Sequence, residues 1–151
     1  MAMMSARRIF VDTNILIYAT NVDSPFHHMA MQALEITQDQ GVVRTISTQI
    51  LREFYGFATR INGQGQNFDR SRANDVLDKI EEFRASFEVL EDSSFVSVQL
   101  TELARYVEIG GRQIHDANIV ATMLHYGIKH LLTNNPAHFM RFTKFISVVP
   151  L

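Results

Sequence analysis

Short runs rich in β-branched and aromatic residues alternate along the chain with longer stretches whose apolar residues recur at helical spacing. The short runs predict strands at residues 8–11, 42–46, 87–90, 130–132 and 146–149. Continuous apolar runs are typical of strands that are covered on both faces. Strands separated by helices in this way favour an α/β domain with a mainly parallel central sheet of four to five short strands.

The stretches between the strands predict helices, which cover residues 14–19, 26–38, 47–61, 69–87, 93–107 and 116–126. The helix at 69–87 is amphipathic, and its buried side is expected to carry Ala73, Leu77, Ile80 and Phe83. The sequence NGQGQN at residues 62–67 predicts the clearest loop of the chain. The sequence at residues 134–136 predicts a turn. In the helix predicted at 93–107, Phe95 is expected to lie in the core.

The composition is that of one soluble globular domain, spanning residues 1–151. Its 46% hydrophobic and 20% charged residues are ordinary for such a domain. The chain has no cysteine, which excludes disulfides and thiolate metal ligands and suits a reducing compartment. The opening MAMMSARR is too short for a signal peptide, and no apolar stretch approaches the roughly 20 residues of a membrane span. We therefore expect a cytoplasmic protein without membrane contact.

The charges of the chain nearly balance, with a net charge of −2. Dedicated nucleic-acid-binding domains usually carry a basic face, so the balance gives no support for one. An enzyme that gathers acids around a metal ion is compatible with the same balance, because local arginines can contact a phosphate backbone. Arg112 is the best placed candidate, since it closely precedes the helix predicted at 116–126.

Three carboxylates occupy positions where the apolar pattern predicts a buried side chain. Asp12 directly follows the first predicted strand, at its carboxyl end. Glu53 lies three residues after Ile50, on the apolar face of its own helix, and Asp116 lies four residues before Val120 on a similar face. Ligands in such α/β sheets bind beyond the carboxyl ends of the strands, so Asp12 and Asp116 are expected at the same rim.

Each of these acids taken alone also fits a structural role. Asp12 and Asp116 suit helix N-caps, and Glu53 suits the edge of an apolar face or an ion pair. Together they suggest chemistry, because three charges about 5 Å apart repel by roughly 3 kcal/mol per pair at an effective dielectric near 20. A cation would relieve this repulsion. Oxygen ligands without cysteine favour a hard ion, Mg²⁺ or Mn²⁺.

Four stretches resemble, in order, the motifs of PIN domains. FVDTNILIY at residues 10–18 is similar to the first motif, and ISTQILREF at 46–54 is similar to the second. IHDANIVATM at 114–123 resembles the third, and LLTNNPAHF at 131–139 resembles the fourth. The final ISVVP resembles the end of the family pattern, so the resemblance covers nearly the whole chain.

The resemblance implies roles for the residues at the matching positions. Asp12, Glu53 and Asp116 fall on the catalytic acids of the family, which are also its metal ligands. The supporting polar positions of the first and fourth motifs are Thr13, Asn14, Thr133 and Asn135.

The same resemblance implies a fold, an activity and partners. The implied fold has three layers, α/β/α, built on a parallel sheet. The implied activity is that of a Mg²⁺- or Mn²⁺-dependent endoribonuclease, a hydrolase that cleaves phosphodiester bonds of RNA. Many small bacterial members, the VapC type, are toxins of type II toxin–antitoxin systems. Such members are silenced by a cognate antitoxin protein and often form homodimers.

The fourth motif departs from the family pattern. PIN domains often carry a further acid at one of two positions, which are Asn135 and His138 in this chain. The missing charge puts a second metal ion in question, so we predict one tightly held ion. His138 is a candidate for contacting a phosphate or moving a proton, although a surface histidine beside a turn is the simpler interpretation.

Two other functions compete with the nuclease. A PIN domain with little or no catalysis, acting as an RNA- or protein-binding module, is supported by the altered fourth motif and opposed by the three acids. Phosphoryl transfer through an aspartyl-phosphate would use an Asp at a strand end such as Asp12. The haloacid-dehalogenase pattern requires a second Asp two positions later, where this chain has Asn14.

Overall fold

A computed structural model describes residues 6–60 and 67–151, and in this part of the chain strands and helices alternate as predicted. The strands are β1 (Arg8–Val11), β2 (Val43–Ser47), β3 (Glu88–Leu90), β4 (His130–Thr133) and β5 (Ser147–Pro150). The α/β class is therefore confirmed. The predicted loop residues 62–66 and the predicted helical residue 61 lie outside the described residues.

The helices flank the sheet. They are α1 (Thr13–Thr20), α2 (His27–Asp39), α3 (Thr48–Ala58), α4 (Arg70–Ser86), α5 (Ser94–Tyr106) and α6 (Gln113–Tyr126). Helix α1 packs against α2 and α3, α3 packs against α4, and α5 packs against α6. None of the helices in residues 6–60 and 67–151 combines the length and the apolar character that crossing a bilayer requires.

The five strands form one sheet in the order β3-β2-β1-β4-β5, and all neighbouring pairs are parallel. Phe10 of β1 is in register with Thr45 of β2 and with Leu131 of β4, and all three are fully buried. Because the strands run in one direction, their carboxyl ends lie along a single edge. Strand β1 is central, so the residue that follows it is flanked on both sides by other strand ends.

Two predicted core residues are exposed. Leu77 is 44% exposed, because the buried face of α4 carries Ala73, Val76, Ile80 and Phe83. Phe95 is 68% exposed at the start of α5, where the next residue, Val96, takes the buried position. Helical spacing thus identified the correct helices but not the rotation of each apolar face.

Two element boundaries differ from the predictions in ways that affect the site. Helix α6 begins at Gln113 rather than at Asp116, so Asp116 lies in the first turn and Arg112 is the N-cap. A 3-10 helix, Pro136–Phe142, follows the position of the predicted turn after β4. Phe139 and Phe142 of this helix are buried, which anchors the segment that carries His138.

Candidate acidic site

Asp12 lies at the carboxyl end of β1 and caps the N-terminus of α1. It is 7% exposed. Its Oδ1 accepts a hydrogen bond from the backbone N–H of Thr13 at 2.8 Å, and its Oδ2 accepts one from Oγ1 of Thr133 at 2.7 Å. Both oxygens therefore have donors, as a buried carboxylate requires. Asp12 therefore has the helix-capping role that its position predicts. It also lies at the edge of the sheet where other polar side chains meet.

Glu53 reaches from α3 toward the start of α1. Its Oε2 accepts a hydrogen bond from Oγ1 of Thr13 at 2.6 Å, and its Oε1 accepts one from Nε2 of Gln49 at 3.0 Å. Thr13 thus bonds Asp12 through its backbone N–H and Glu53 through its hydroxyl. This one residue fixes the positions of two acids relative to each other.

Asp116 lies half-buried in the first turn of α6. His138 of the 3-10 helix approaches it, with Nδ1 at 3.6 Å from Oδ2 of Asp116. His138 is exposed, so it is both next to an acid and accessible to a ligand. Arg112 is exposed at the N-cap of α6, four residues before Asp116.

Asn14 and Thr133 connect α1 to the end of β4. Asn14 Nδ2 lies 3.4 Å from Oδ2 of Asp12 and 3.3 Å from Oγ1 of Thr133. Asn14 Oδ1 accepts a hydrogen bond from the backbone N–H of Asn134 at 3.2 Å. The backbone N–H of Asn135 donates to Oγ1 of Thr133 at 3.0 Å. Asn135 therefore joins this network through its backbone rather than its side chain.

The ionisation of the two aspartates responds to burial and to neighbouring charges. Burial raises the pKa of Asp12 from 3.8 to about 6. Hydrogen bonds to its oxygens oppose this rise, and the negative charges of Glu53 and Asp116 add to it. Burial also raises the pKa of Asp116, a shift that His138 opposes and Glu53 increases. The charged forms of the two aspartates are thus disfavoured by desolvation first and by neighbouring negative charge second.

The donor chemistry of the cluster fits a hard divalent cation. The candidate ligands are carboxylate oxygens, and a cation among them would oppose both causes of the raised Asp12 pKa. In residues 6–60 and 67–151, no three acidic, histidine or cysteine side chains are already arranged around one metal position. The oxygens of Asp12 and Glu53 are bonded to protein donors instead, so binding an ion requires some of these side chains to turn toward it.

Three polar residues that were not predicted belong to the same rim. Gln49 is 5% exposed and donates to Glu53, and Asn118 Nδ2 donates to Oε1 of Gln49 at 2.7 Å. Arg141 lies near enough to Asp116 to oppose the rise of its pKa. The sequence held one usable signal, because Gln49 precedes Glu53 by four residues and therefore shares its helix face.

The raised pKa of Asp12 predicts how stability depends on pH. Between pH 3.8 and about 6 the folded state binds more protons at this group than the unfolded state, so its contribution to stability falls as pH rises. Asp12→Asn removes this dependence. Between pH 4 and 7, the free energy of unfolding of the variant should therefore rise relative to that of the parent by about 2 kcal/mol.

Urea denaturation of both proteins in EDTA at pH 4 and at pH 7 measures this difference. A hydrogen bond that the variant loses lowers its stability at both pH values, so this loss cancels in the comparison. Asp78→Asn, at an exposed position on α4, is the matched control and should show no such gain. A variant that loses ground to the parent as pH rises would show that Asp12 is stabilised in its charged form, contrary to this prediction.

Solved structures share this fold. VapBC2 from Rickettsia felis, in complex with a promoter DNA fragment, is 19% identical with a TM-score of 0.68, covering 95% of this chain and 98% of that one. VapC20 from Mycobacterium tuberculosis is 20% identical with a TM-score of 0.62, covering 82% and 86%. FitAcB from Neisseria gonorrhoeae is 16% identical with a TM-score of 0.68, covering 93% and 95%. At these identities the similarity shows the fold alone.

A comparison with curated proteins found no match. The family model of the PIN domain matches residues 9–144, which include all four motifs and all three acids. The chain belongs to the PIN domain family.

Proposed function

We propose that the protein is a Mg²⁺- or Mn²⁺-dependent endoribonuclease that cleaves phosphodiester bonds of RNA. The observation that carries this proposal is the acidic cluster at the carboxyl edge of the sheet. Asp12, Glu53 and Asp116 come from three different parts of the fold. Burial raises the pKa of both aspartates, and the charge of Glu53 adds to both shifts. Perturbed carboxylates gathered at such an edge are a common mark of a functional site.

Asp12, Glu53 and Asp116 are the residues that would hold the divalent ion. When bound, the ion supplies positive charge that polarises a phosphodiester and stabilises charge that develops during its hydrolysis. The altered fourth motif supports a single ion, because Asn135 and His138 stand where family members often carry a further acid.

The other residues of the rim keep the acids in place. Thr13 lies between Asp12 and Glu53 and bonds both. Thr133, on the neighbouring strand β4, donates a hydrogen bond to Oδ2 of Asp12. Asn14 connects that pair to the loop after β4. His138, beside Asp116 and accessible, is placed to contact a phosphate or to accept a proton from a reacting group.

We further propose that the protein is the toxin of a type II toxin–antitoxin pair. VapC20, which shares the fold, is described as a toxin that cleaves the sarcin–ricin loop, and a structure of similar fold from Klebsiella pneumoniae is a toxin–antitoxin complex. A cognate antitoxin and a second copy of the chain are the proposed protein partners.

An inactive RNA- or protein-binding module is the second candidate. Its support is the altered fourth motif, in which His138, not an acid, lies against Asp116. The buried, destabilising Asp12 opposes it, because a binding module gains nothing from a carboxylate that is costly to ionise there.

Cleavage of a structured RNA in Mg²⁺ separates the two candidates. The parent should produce discrete fragments, and EDTA should abolish them. Asp12→Asn, Glu53→Gln and Asp116→Asn should each reduce the rate by about a thousandfold or more, since catalytic groups that act as a unit fail together.

The matched controls are Asp78→Asn and Glu35→Gln, which remove exposed carboxylates from α4 and α2. Both should cleave at the parental rate. RNA binding without cleavage by the parent, in either metal, would favour the binding module over the nuclease.

Thr13→Val tests whether the link between Asp12 and Glu53 matters for the ion. The valine keeps the backbone bond to Asp12 and loses the hydroxyl bond to Glu53. Mn²⁺ affinity, measured by calorimetry, should fall by about 10- to 100-fold, as is typical when a group that orients a ligand is removed. Thr13→Ser, which keeps the hydroxyl, should restore most of it. Equal affinities for the two variants would show that the hydroxyl does not position Glu53 for the metal.

A further inference from the structure

A pocket of about 510 Å³ lies beside the acidic site, between α3, the start of α5 and the start of α6. Most of its lining residues are polar, among them Gln49, Arg52, Asp92, Ser93, Ser97 and Asn118, and Leu100 and Ile114 add an apolar part. Asp92 follows the end of β3, so the pocket lies at the same edge of the sheet as the acids. None of the three acids lines it.

Hydrogen bonds run from this pocket to Glu53, and their direction is fixed by chemistry. Gln49 Nε2 lies 3.0 Å from Oε1 of Glu53 and 2.8 Å from the backbone carbonyl of His115. An ionised carboxylate and a carbonyl only accept, so Gln49 turns its amino group to them and its Oε1 to Asn118. Asn118 Nδ2 then donates to Oε1 of Gln49 at 2.7 Å and to Oδ2 of Asp92 at 3.2 Å.

This direction leaves acceptors free at the pocket. Both amide hydrogens of Asn118 are used, and its Oδ1 accepts no hydrogen bond from any described residue. The same holds for Oδ1 of Asp92, whose Oδ2 receives Asn118 and Arg52. Oγ of Ser93, at the pocket wall, is buried and has no hydrogen-bond partner within residues 6–60 and 67–151. This hydroxyl exposes almost no surface, so the free acceptors of Asn118 and Asp92 are the groups left for a ligand.

We propose that this pocket is a nucleotide subsite, which seats one unpaired base of the RNA beside the bond that is cut. The proposal rests on the ribonuclease function proposed above and adds a substrate preference to it. The two free acceptors, on Asp92 and Asn118, match the two hydrogens of an exocyclic amino group, which adenine, cytosine and guanine carry, whereas uracil offers a single donor, its N3–H. Unpaired bases expose these edges, and proteins read single-stranded RNA through them. The volume is within the range of small-molecule sites.

The neighbouring charges agree with a base rather than a phosphate in this pocket. Asp92 would repel a phosphate inside the pocket. Its partner Arg52, at 3.4 Å, has a mostly exposed side chain, which can contact the RNA backbone outside the pocket. The base would then lie on one side of Gln49 and the acids on the other. Binding of a base in the pocket is therefore expected to change the environment of the side-chain amides of Gln49 and Asn118.

Titration of the full-length protein with adenosine, cytidine and uridine tests the subsite, with the side-chain amide NMR signals of Gln49 and Asn118 as reporters. The probes are nucleosides, because they lack the phosphate that the acids would repel. Adenosine or cytidine should shift both amide signals, and uridine should bind about tenfold more weakly or worse. Equal binding of uridine, or no shift with any nucleoside, would overturn the proposal.

Ser97→Trp fills the pocket from an exposed position of α5 that has no side-chain hydrogen bond to lose among the described residues. Val98→Trp is the matched control, because Val98 is 63% exposed and is not part of the lining. The Ser97 variant should lose the nucleoside shifts and the control should keep them. NMR shifts that persist in a folded Ser97→Trp protein would show that the nucleoside binds elsewhere. If that variant does not fold, the comparison of uridine with adenosine and cytidine in the parent tests the subsite by itself.

RNA cleavage by the same proteins keeps the two proposals apart. Cleavage by the parent without any nucleoside binding would refute the subsite and leave the ribonuclease standing. Nucleoside binding without cleavage would refute the ribonuclease and leave the pocket as an RNA contact. We expect both nucleoside binding and RNA cleavage by the parent. Cleavage beside uracil should be disfavoured in the parent, and Ser97→Trp should lose this preference.

Discussion

The buried carboxylate of Asp12 is the constraint around which the rim of the sheet is organised. It ends the central strand, where water is largely excluded, and the fold has to supply its hydrogen-bond donors. Thr13 and Thr133 do so from two directions, and Thr13 extends the same network to Glu53. Burial still raises the pKa of Asp12 to about 6. The site therefore carries a free-energy cost that a bound cation would offset.

The PIN fold and the particular site of this chain are separable. Proteins that are 16–20% identical to it share the arrangement of helices and sheet, so most of the sequence can differ while the fold is kept. This chain places His138 against Asp116 and uses the backbone of Asn135 to hold Thr133. Its own polar bridge of Gln49 and Asn118 then leads away from the acids to a second pocket.

The sequence predicts the strands, their parallel pairing and the three acids, because each depends on a local pattern. A carboxylate that interrupts an apolar run is visible without any tertiary contact, as at Asp12. Gln49 and Asn118 were missed, because an amide on a helix looks like a surface residue until its partners on other elements are known. Leu77 and Phe95 were misplaced for a related reason, since the facing element sets how far a helix rotates.

Anomalous scattering from crystals soaked in MnCl₂ tests most directly whether Asp12, Glu53 and Asp116 share one cation. We predict a single strong peak within coordination distance of carboxylate oxygens from these residues, with side chains turned from their protein donors toward it. An absence of any peak at this rim, or a peak held only by other residues, would contradict the shared site and with it the nuclease.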